Sequence, residues 1–377
     1  MLRAVVSLFV TLALGAGPPA AQAQTPPPVI GKAYILADIS SGQILANDRP
    51  DERFEPASLT KIMTAYLVFQ ALKEKKLALD RTVPVSEKAL KASGSRMFIE
   101  ASRPVTVDEL IRGMIVQSGN DACIALAEAV AGNEEVFAQM MNREAQRLGM
   151  KNSNFMNSNG LPNPQHYSSA RDMYVLAAAL IRDFPAEYAT YYPMKEYRYN
   201  NITQMNRNRL LWLDPSVDGM KSGYTEAAGY CLVASSKRGP RRLMSVLLGS
   251  TSESTRAQES QKLLNWGFQF FDAVKLYDKS QPVKSIKVWK GSAPEVKAGF
   301  TDDMYITVPK GQADKVKAEL LAQPTLVAPI SQGQKIGMMR VTLEGKPVGE
   351  YPVVALESVG VAGVFGRAWD TLRLWMK

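Results

Sequence analysis

The 377-residue chain contains a single histidine, and this shortage limits the chemistry it can perform. His166 lies in LPNPQHYSSARD, a stretch rich in Pro and Asn without a nearby nucleophile pattern. A Ser-His-Asp hydrolase would need this one residue as its base. A zinc site would have at most one histidine and two distant cysteines as ligands. The sequence therefore disfavours both chemistries, and His166 is predicted to be a loop residue.

Cysteine is also scarce. The two cysteines, Cys123 and Cys231, lie in runs of apolar or small residues, DACIALAEAV and YCLVASS. This setting favours buried free thiols. A disulfide remains the alternative in an exported protein, because spacing alone does not define the geometry of a pair. Low-complexity tracts are absent and 46% of the residues are apolar, so the chain can build a sizeable core without disulfides.

The N-terminal apolar run, from Ala4 to Leu14, is too short to span a bilayer. Arg3 precedes this run, and an Ala-Gln-Ala motif at 21–23 follows it. A basic start, a short apolar stretch and a small-residue cleavage pattern are typical of a signal peptide. Residues 1–23 are therefore predicted to be cleaved from an exported protein; an uncleaved membrane anchor is the alternative.

The formal net charge of the chain is +9 at pH 7. A basic protein of this size can bind nucleic acid, a membrane surface or an acidic polymer. The sequence shows neither a nucleic-acid-binding motif nor a dense basic helix in its body, and its N terminus predicts export. We therefore expect no nucleic acid as a partner, and we expect an anionic envelope surface or a carboxylate-bearing substrate.

The length of the chain predicts two domains with tails. Residues 33–48 have the alternation of a β-hairpin with a turn at Ser-Ser-Gly. Helical patterns dominate from 57 to 182, strand patterns return at 229–236 and 242–249, and a helical segment follows at 254–271. Strands at both ends with helices between them predict an α/β (α+β) domain, with a sheet that joins its two ends.

From about Asp272 the pattern changes to short alternating segments separated by Gly, Pro and Asp turns. These segments include SIKVW, MYITV, KIGMMRVTL and YPVVAL. They predict a smaller β-rich domain at 273–355 after a catalytic domain at 30–272. Residues 356–377 then form a separate tail.

In this tail, apolar residues recur at steps of three and four, while charged residues largely fall elsewhere on the helical wheel. The apolar stripe contains Val361, Val364, Phe365, Ala368, Trp369, Leu372, Trp375 and Met376. An amphipathic helix with paired Trp and basic flanks is typical of an in-plane membrane anchor. A terminal helix packed on the β-rich domain is the alternative.

Ser58 and Lys61 form a Ser-x-x-Lys motif at the start of an apolar-periodic helical run. Residues three apart lie on one helix face, and the positive end of the helix dipole stabilises negative charge on a serine there. A lysine in a dry cleft near another cation loses proton affinity and can act as a general base. The motif alone is short, and a capping serine with a solvated lysine is the alternative.

Two further segments complete a proton-relay set. Ser118-Gly119-Asn120 lies between helical patterns and places a hydroxyl and an amide at a turn. Lys221-Ser222-Gly223 precedes the strand around Cys231, and it offers a charge, a hydroxyl and a glycine that permits close backbone approach. A serine nucleophile, a bridging serine and two lysines need no histidine.

The order of these motifs matches the set shared by penicillin-binding proteins and class A β-lactamases. Their flanks, EPASLTKIMTAY, LIRGMIVQSGNDACIALAE and VDGMKSGYTEAAGYCLVAS, resemble the D-alanyl-D-alanine carboxypeptidases of the low-molecular-weight penicillin-binding protein 5 type. YSSARDM, NRNRLLW and KLLNWGF extend the resemblance over nearly the whole mature chain. The resemblance implies a penicillin-binding/β-lactamase-like transpeptidase domain, a β-rich stalk domain and an amphipathic C-terminal helix.

The resemblance also assigns roles to residues. Ser58 is the acylated nucleophile and Lys61 its base, while Ser118 and Asn120 take part in proton transfer and contact the substrate amide. The implied reaction removes the terminal D-alanine of peptidoglycan stem pentapeptides through an acyl-enzyme, and β-lactams acylate the same serine. Neither a cofactor nor a metal is implied.

On the far side of the cleft, the resemblance places Lys221, Ser222 and Gly223 in substrate binding. The backbone amide of Tyr224 forms the oxyanion hole together with that of Ser58. Two positions depart from the family pattern: Ser222 replaces the usual threonine but keeps the hydroxyl, and Tyr224 stands where the type member has histidine. We expect the second change to affect pH dependence or substrate preference, and not the type of reaction.

Arg207 and Arg256 match family arginines near the terminal carboxylate of the substrate, a role that suits the planar guanidinium. A surface charge is the alternative for each. The implied location is the periplasmic face of the inner membrane, with peripheral attachment through the tail. A D,D-endopeptidase or a β-lactamase on the same scaffold, and a non-catalytic peptidoglycan-binding protein, remain alternative functions.

Overall fold

The computed structural model describes residues 25–322 and 325–375. The predicted signal peptide lies outside the described residues, as does Met376 of the predicted apolar stripe. The predicted fold class is confirmed, since an α/β domain that carries most of the helices precedes a smaller β-rich domain and a C-terminal helix.

The first domain consists of one main sheet with helices packed against it. Its strands are β1 (Ala33–Asp38), β2 (Gln43–Asp48), β3 (Thr82–Val83), β4 (Val105–Thr106), β5 (Glu196–Tyr199), β6 (Ile202–Met205), β7 (Val217–Thr225), β8 (Gly229–Arg238) and β9 (Arg241–Ser250). Its helices are α1 (Lys61–Lys73), α2 (Glu87–Leu90), α3 (Val107–Val116), α4 (Asn120–Ala131), α5 (Glu134–Leu148), α6 (Ala170–Asp183), α7 (Pro185–Tyr191), α8 (Leu210–Leu213) and α9 (Glu253–Phe270).

The main sheet is antiparallel and has the strand order β2-β1-β9-β8-β7. The N-terminal hairpin therefore pairs with strands that follow the helical region, and the predicted sheet that joins both ends of the domain is present. The hairpin turn contains Gly42, whose φ of +73° is readily adopted by glycine. β7 is an edge strand of this sheet, so one of its edges faces the helices and not another strand of the sheet.

Helix α1 lies at the centre of the helical region, where ten of its 13 residues are buried. Its sequence is apolar on nearly every face, and a helix with this composition is stable only when it is surrounded by protein. It contacts α3, α4, α5 and α6. The residues at its N-terminal end are therefore held in the interior of the domain, close to β7.

The second domain follows α9 directly. Its strands are β10 (Phe271–Tyr277), β11 (Lys284–Trp289), β12 (Glu295–Gly299), β13 (Met304–Pro309), β14 (Val316–Ala322), β15 (Leu326–Val327), β16 (Lys335–Leu343) and β17 (Lys346–Ala355). Six of them form a sheet in the order β14-β16-β17-β12-β11-β15, and β10 pairs with β13. This domain has its own core, which includes Val296, Ile306, Ile336, Val341 and Val353.

Polar contacts join the two domains. The carboxylate of Asp38 at the end of β1 accepts hydrogen bonds from Arg241 Nε (2.6 Å) and from Thr307 Oγ1 (3.0 Å) of the second domain. The side-chain amide of Gln43 bonds the backbone of Thr307 twice, because its Oε1 accepts from the N–H (2.5 Å) and its Nε2 donates to the carbonyl (3.0 Å). The β1–β2 hairpin thus connects the main sheet to β13.

The tail forms helix α10 (Val364–Trp375). The backbone N–H of Lys290 donates to Asp370 Oδ2 at 2.6 Å, so one polar residue of the helix contacts the β-rich domain. Phe365 and Trp375 are more than nine-tenths exposed. None of the helices among the described residues combines the length and apolar character needed to cross a bilayer.

Candidate active site

Ser58 lies in a single 3-10 turn, Ala57–Thr60, that leads into α1. The sequence predicted a helix start here, and the structure shows that the serine precedes the α-helix while Lys61 is its first residue. Residues three apart lie above one another in a 3-10 turn. Lys61 Nζ accordingly donates to Ser58 Oγ at 3.0 Å, so the predicted nucleophile and its predicted base are in direct contact.

The amine of Lys61 is almost completely buried, with 1% of the residue exposed. Besides the serine hydroxyl, its Nζ donates to Asn120 Oδ1 (2.7 Å) and to the carbonyl oxygen of Asn159 (2.6 Å). Burial lowers the pKa of Lys61 to about 8, although nearby acidic groups favour the charged form. An amine with this pKa is neutral in about one molecule in ten at pH 7, far more often than an ordinary lysine, and its neutral form can accept the serine proton.

The Asn159 carbonyl belongs to a loop that packs directly against the turn that carries Ser58. Gly160 has a φ of +85°, and a Cβ there would collide with the backbone of Ala57. The carbonyl of Ser158 accepts from Thr64 Oγ1 at 2.5 Å, and the Ser158 N–H donates to Glu134 at 2.9 Å. These contacts fix the loop between α1 and α5, so that the Asn159 carbonyl faces the lysine.

Ser118 and Asn120 form the helical wall of the site, at the junction of α3 and α4. Ser118 has a φ of +65°, a left-handed conformation that is unfavourable for residues other than glycine. Its Oγ is buried and has no hydrogen-bond partner among the described residues. Asn120 opens α4 and also donates from Nδ2 to the carbonyl of Ser93 at 2.6 Å. The Ser118 hydroxyl is therefore available to a substrate.

Strand β7 forms the opposite wall. The sequence placed Lys221, Ser222 and Gly223 before a strand, and the structure shows that they lie within β7 itself. A Cβ at position 223 would come within 3.2 Å of the Ser58 backbone nitrogen, so glycine permits the strand to approach the turn that carries Ser58. Burial depresses the pKa of Lys221 well below its ordinary value, and the charges of Lys61 and nearby arginines add to this effect.

Arg256 and Arg207 lie together beside β7. Arg256, from α9, is 5% exposed, and it donates from Nη1 to the carbonyl of Gly223 (3.2 Å) and from Nη2 to that of Arg207 (3.3 Å). Burial lowers the pKa of Arg256, and the guanidinium of Arg207 contributes to the low pKa of Lys221. Tyr224 is half exposed, with its ring 4.4 Å from that of Tyr230.

These residues meet at one cavity of about 740 Å³. Of the predicted site residues, the lining contains Ser58, Ser118, Asn120, Arg207, Ser222, Gly223, Tyr224 and Arg256. Lys61 and Lys221 lie just beneath the lining, where Lys61 contacts Ser58 and the Lys221 Nζ donates to the carbonyl of Ser222 at 3.1 Å. The structure thus brings together side chains that are up to 198 positions apart in sequence (residues 58 and 256).

Sequence reasoning missed the loop that carries Asn159 and the histidine behind it. His166 is 3% exposed, and its Nε2 lies 2.9 Å from Thr60 Oγ1. Burial, reinforced by the charge of Lys61, lowers the pKa of His166 to about 4. The dense Asn, Gly and Pro content of residues 157–165 marks a structured loop, but it does not show what the loop contacts.

Both cysteines are buried free thiols, as the sequence predicted. Cys123 lies close to the site, where its Sγ is 2.9 Å from the carbonyl oxygen of Ser158. Burial raises the pKa of Cys123 and of Cys231 to about 11. Neither thiol therefore has the thiolate character of a nucleophile near neutral pH.

Comparison with known proteins gives matches over both domains. Residues 20–252 match the family of D-alanyl-D-alanine carboxypeptidases, and residues 271–361 match the C-terminal domain of penicillin-binding protein 5. The chain is 45% identical over 353 residues to D-alanyl-D-alanine carboxypeptidase DacC of Escherichia coli, an alignment that covers 91% of this chain and 88% of the relative. It is 43% identical over 359 residues to DacA of Haemophilus influenzae, covering 94% and 91%.

Solved structures agree with this assignment. Penicillin-binding protein 5 from Haemophilus influenzae superposes with a TM-score of 0.83 at 42% identity, over 89% of this chain and 99% of that chain. The carboxypeptidase DacD from Francisella tularensis gives a TM-score of 0.72 at 34% identity, over 89% and 95%. The family predicted from the three motifs is therefore confirmed. The chain belongs to the D-alanyl-D-alanine carboxypeptidase family of serine penicillin-binding proteins.

Proposed function

We propose that this chain is a serine-type D-Ala-D-Ala carboxypeptidase that removes the terminal D-alanine of peptidoglycan stem pentapeptides. The observation that carries the proposal is the contact between Lys61 Nζ and Ser58 Oγ, 3.0 Å apart, in which burial lowers the pKa of the amine to about 8. A buried amine with a low pKa in contact with a serine hydroxyl is the arrangement that activates the serine without a histidine.

Acylation begins when Ser58 Oγ attacks the carbonyl carbon between the two terminal D-alanines. The hydroxyl proton passes to Lys61 Nζ, and the C–N bond then breaks. The departing amine takes up a proton that the hydroxyl of Ser118 relays. This hydroxyl is suited to the transfer because Ser118 lines the cavity and its Oγ has no partner among the described residues. Water then hydrolyses the ester on Ser58, which releases the shortened peptide.

The negative oxygen of the tetrahedral intermediate is bound by the backbone N–H groups of Ser58 and Tyr224. Gly223 supports this assignment, because the absence of a side chain brings β7 against the nucleophile turn. Fixed backbone donors in a partly dry cavity stabilise developing charge strongly, and one such donor is worth about 10²–10³ in rate. Lys221 and Ser222 bind the substrate along the same strand.

The free carboxylate that defines a carboxypeptidase substrate is bound by Arg207 and Arg256. Their two cationic groups lie at the end of the cavity beside β7. Arg256 is buried and held by the Gly223 carbonyl, whereas the side chain of Arg207 is exposed and able to close on a ligand. Glu253 lies 3.5 Å from Arg256 and balances part of this charge, so one net positive charge is left for the substrate. A peptide amide in place of the terminal carboxylate would not pair with that charge, which disfavours internal peptide bonds.

β-Lactams acylate Ser58 in the same way as the substrate. Penicillin-binding protein D2 from Listeria monocytogenes, solved in its ampicillin-bound form, matches this chain with a TM-score of 0.59 at 27% identity. In this chain, Ser58 in contact with Lys61, and Ser118 on the lining of the same cavity, support the same reaction.

The proposed location is the periplasmic face of the inner membrane, after removal of residues 1–23. Residues 30–272 form the catalytic domain and 273–355 a stalk, while 356–377 attach the protein peripherally to the membrane. The support comes from α10, in which Asp370 bonds the β-rich domain while Phe365 and Trp375 remain exposed. Apolar side chains at this end of the molecule can enter the interfacial layer of a bilayer.

The experiment that tests the function measures free D-alanine released from a stem pentapeptide by the purified protein, by Ser58→Ala and by Ser285→Ala. Ser285 is an exposed serine in β11 and serves as the matched control. We expect release by the parent and the control, and a loss of at least about 10³-fold in Ser58→Ala. A folded parent that releases no D-alanine would contradict the proposal.

The same proteins distinguish the alternative functions. Cleavage of cross-linked peptide dimers without D-alanine release would indicate an endopeptidase. Rapid turnover of penicillin would indicate a β-lactamase. Peptidoglycan binding that is unaffected in Ser58→Ala, without any hydrolysis, would indicate a non-catalytic binding protein.

A further inference from the structure

The helical wall of the cavity carries a cation that the proposed reaction does not use. Arg96 lies in the segment between α2 and β4 and lines the cavity together with Gly94, Ser95 and Phe98. The Ser95 carbonyl accepts from the backbone N–H of Asn120 at 2.7 Å. The segment is therefore attached to the wall that carries Ser118 and Asn120, opposite the arginines beside β7.

This segment is held rigidly. The carboxylate of Asp121, a residue that is 1% exposed, accepts hydrogen bonds from the backbone N–H groups of Met97 (2.9 Å), Phe98 (2.9 Å) and Ile99 (3.3 Å). Phe98 has a φ of +66°, which is unfavourable for an aromatic residue. Backbone strain of this kind persists only where the surroundings enforce it, and it concentrates at functional sites. Asp121 therefore supports a shaped rim and not a mobile loop.

The guanidinium on this rim contacts a backbone oxygen and not a carboxylate, since Arg96 Nη1 donates to the carbonyl of Leu90 at 3.4 Å. Among the described residues, Arg96 has no carboxylate within salt-bridge distance. Its guanidinium lies over the ring of Phe98, 5.3 Å from the centroid, and its backbone carbonyl accepts from Gln204 Nε2 at 3.2 Å. The Phe98 side chain is 42% exposed, so an apolar surface lies beside the cation.

Two separate cationic sites thus face one cavity. Arg207 and Arg256 are joined by a hydrogen bond and suffice for a single terminal carboxylate. Arg96, on the opposite wall, is available to bind a second anionic group of the same ligand. That group must belong to the acyl part of the substrate, because the leaving D-alanine carries only its one carboxylate.

We propose that Arg96 binds a free carboxylate carried by the residue that precedes D-Ala-D-Ala, and that it selects stem peptides of this kind. The inference rests on the proposed carboxypeptidase function. In stem peptides this residue is a diamino acid, which either carries a second carboxylate (a diaminopimelate) or lacks it (a lysine). Phe98 packs against the aliphatic chain of the diamino acid while the guanidinium of Arg96 pairs with the carboxylate through charge-assisted hydrogen bonds.

The test measures kcat/KM for D-alanine release from pentapeptides that differ only at this residue. The substrates contain free diaminopimelate, diaminopimelate amidated at the same carboxylate, or lysine. The proteins are the parent, Arg96→Ala, Arg96→Lys and Arg209→Ala, where Arg209 is an exposed arginine that does not line the cavity. Acylation of Ser58 by a penicillin, which has no diamino-acid carboxylate, reports whether each variant retains a folded site.

We expect the parent to prefer the free carboxylate by about tenfold or more, the usual worth of a charge-assisted hydrogen bond. Arg96→Ala should lose that preference, keep its activity on the lysine peptide within about twofold, and keep the parent's rate of penicillin acylation. Arg96→Lys should retain part of the preference, and Arg209→Ala all of it.

Two results would overturn the assignment of Arg96. The first is a parent that does not discriminate among the three peptides, and the second is an Arg96→Ala protein that loses activity equally on all of them. In both cases the lysine peptide still yields D-alanine with the parent, so the carboxypeptidase function stands. Failure of the proposed function has a different outcome, since the parent would then release D-alanine from none of the peptides.

Discussion

The imidazole Nε2 of His166 lies 2.9 Å from Thr60 Oγ1, so the only histidine of the chain supports the turn that carries Ser58. The Nδ1 atom accepts from the backbone N–H of Met156 at 3.3 Å. In the neutral ring the proton must then reside on Nε2, which donates to the threonine. The loop that supplies the Asn159 carbonyl to Lys61 is thereby tied to the base of α1.

This arrangement predicts a loss of stability in acid. Burial lowers the pKa of His166 to about 4, whereas an unfolded histidine has a pKa of about 6.5. The unfolded state binds more protons between these values, so the free energy of unfolding falls as the pH is lowered through this window. We expect the titration of His166 to lower the free energy of unfolding by about 3 kcal/mol between pH 7 and pH 4. Urea denaturation at several pH values measures it.

The matched variants for this prediction are His166→Gln and Thr60→Val. Glutamine cannot be protonated, so the difference between the parent and His166→Gln should shrink as the pH falls to 4. Thr60→Val removes the acceptor but keeps the imidazole, and it should retain the acid sensitivity. Equal pH profiles for the parent and His166→Gln would show that the ring is not held in the neutral form.

The second prediction concerns the pH dependence of acylation. Lys61 must be neutral to accept the Ser58 proton, and burial lowers its pKa to about 8. The rate of acylation by a fluorescent penicillin should therefore rise about tenfold per pH unit below 8 and level off above it. Lys61→Arg, which stays charged, should not be acylated at any of these pH values. A rate that falls between pH 6 and 8 would exclude Lys61 as the base.

The third prediction is that the serine at position 118 lowers the free energy of unfolding, although its hydroxyl is needed for catalysis. Its φ of +65° is strained for serine, and its buried Oγ lacks a partner among the described residues. Ser118→Gly should raise the free energy of unfolding by about 1 kcal/mol while it lowers kcat by at least about 10²-fold. Calorimetry and D-alanine release measure the two effects.

Ser280 provides the control, since it has a φ of +58° but lies exposed in the second domain. Ser280→Gly should give a comparable gain in stability without any loss of activity. A Ser118→Gly protein that is both active and more stable would show that the hydroxyl has no role in catalysis.

The fourth prediction concerns a buried ion pair of the first domain, which lies where Thr307 of the second domain contacts Asp38. Asp38 is fully buried and Arg241 is 8% exposed, with their charged atoms 2.6 Å apart. Asp38→Ala leaves a buried guanidinium without its carboxylate and should cost about 3–5 kcal/mol in urea denaturation. Glu344→Ala breaks the exposed pair with Lys315 and should cost at most about 1 kcal/mol. Similar costs for the two variants would contradict this assignment.

The fifth prediction tests the proposed attachment to membranes. A protein that ends at Gly360 lacks α10, and it should not sediment with vesicles that contain anionic lipids, whereas the full mature chain should. Its release of D-alanine from soluble peptides should stay within about twofold of the parent, because α10 contributes nothing to the cavity lining. In the full chain, Trp369→Glu should weaken sedimentation in the same way. Vesicle binding by the shortened protein would place the attachment elsewhere.

Several features of this protein followed from its sequence alone. The single histidine, without a nucleophile pattern nearby, disfavoured the common triad, and Ser58, Ser118 and Lys221 carried motifs whose order identified the family. The period of the apolar residues separated a helical region from the later β-rich one, because a helix and a strand each leave a regular pattern over a few residues. These features are local, so neighbouring residues suffice to predict them.

The tertiary structure decided which distant groups meet. The Asn159 carbonyl that accepts a hydrogen bond from Lys61 Nζ is 98 positions away from the lysine in sequence. No periodicity in the sequence indicates that a backbone oxygen lies beside this amine. His166 belongs to a loop by its sequence, yet it is buried against Thr60 because that loop packs on α1. The low pKa of Lys61 also depends on burial, a property of the assembled core. Sequence patterns report local geometry, whereas burial, charge and contact across the chain arise only when the core has formed.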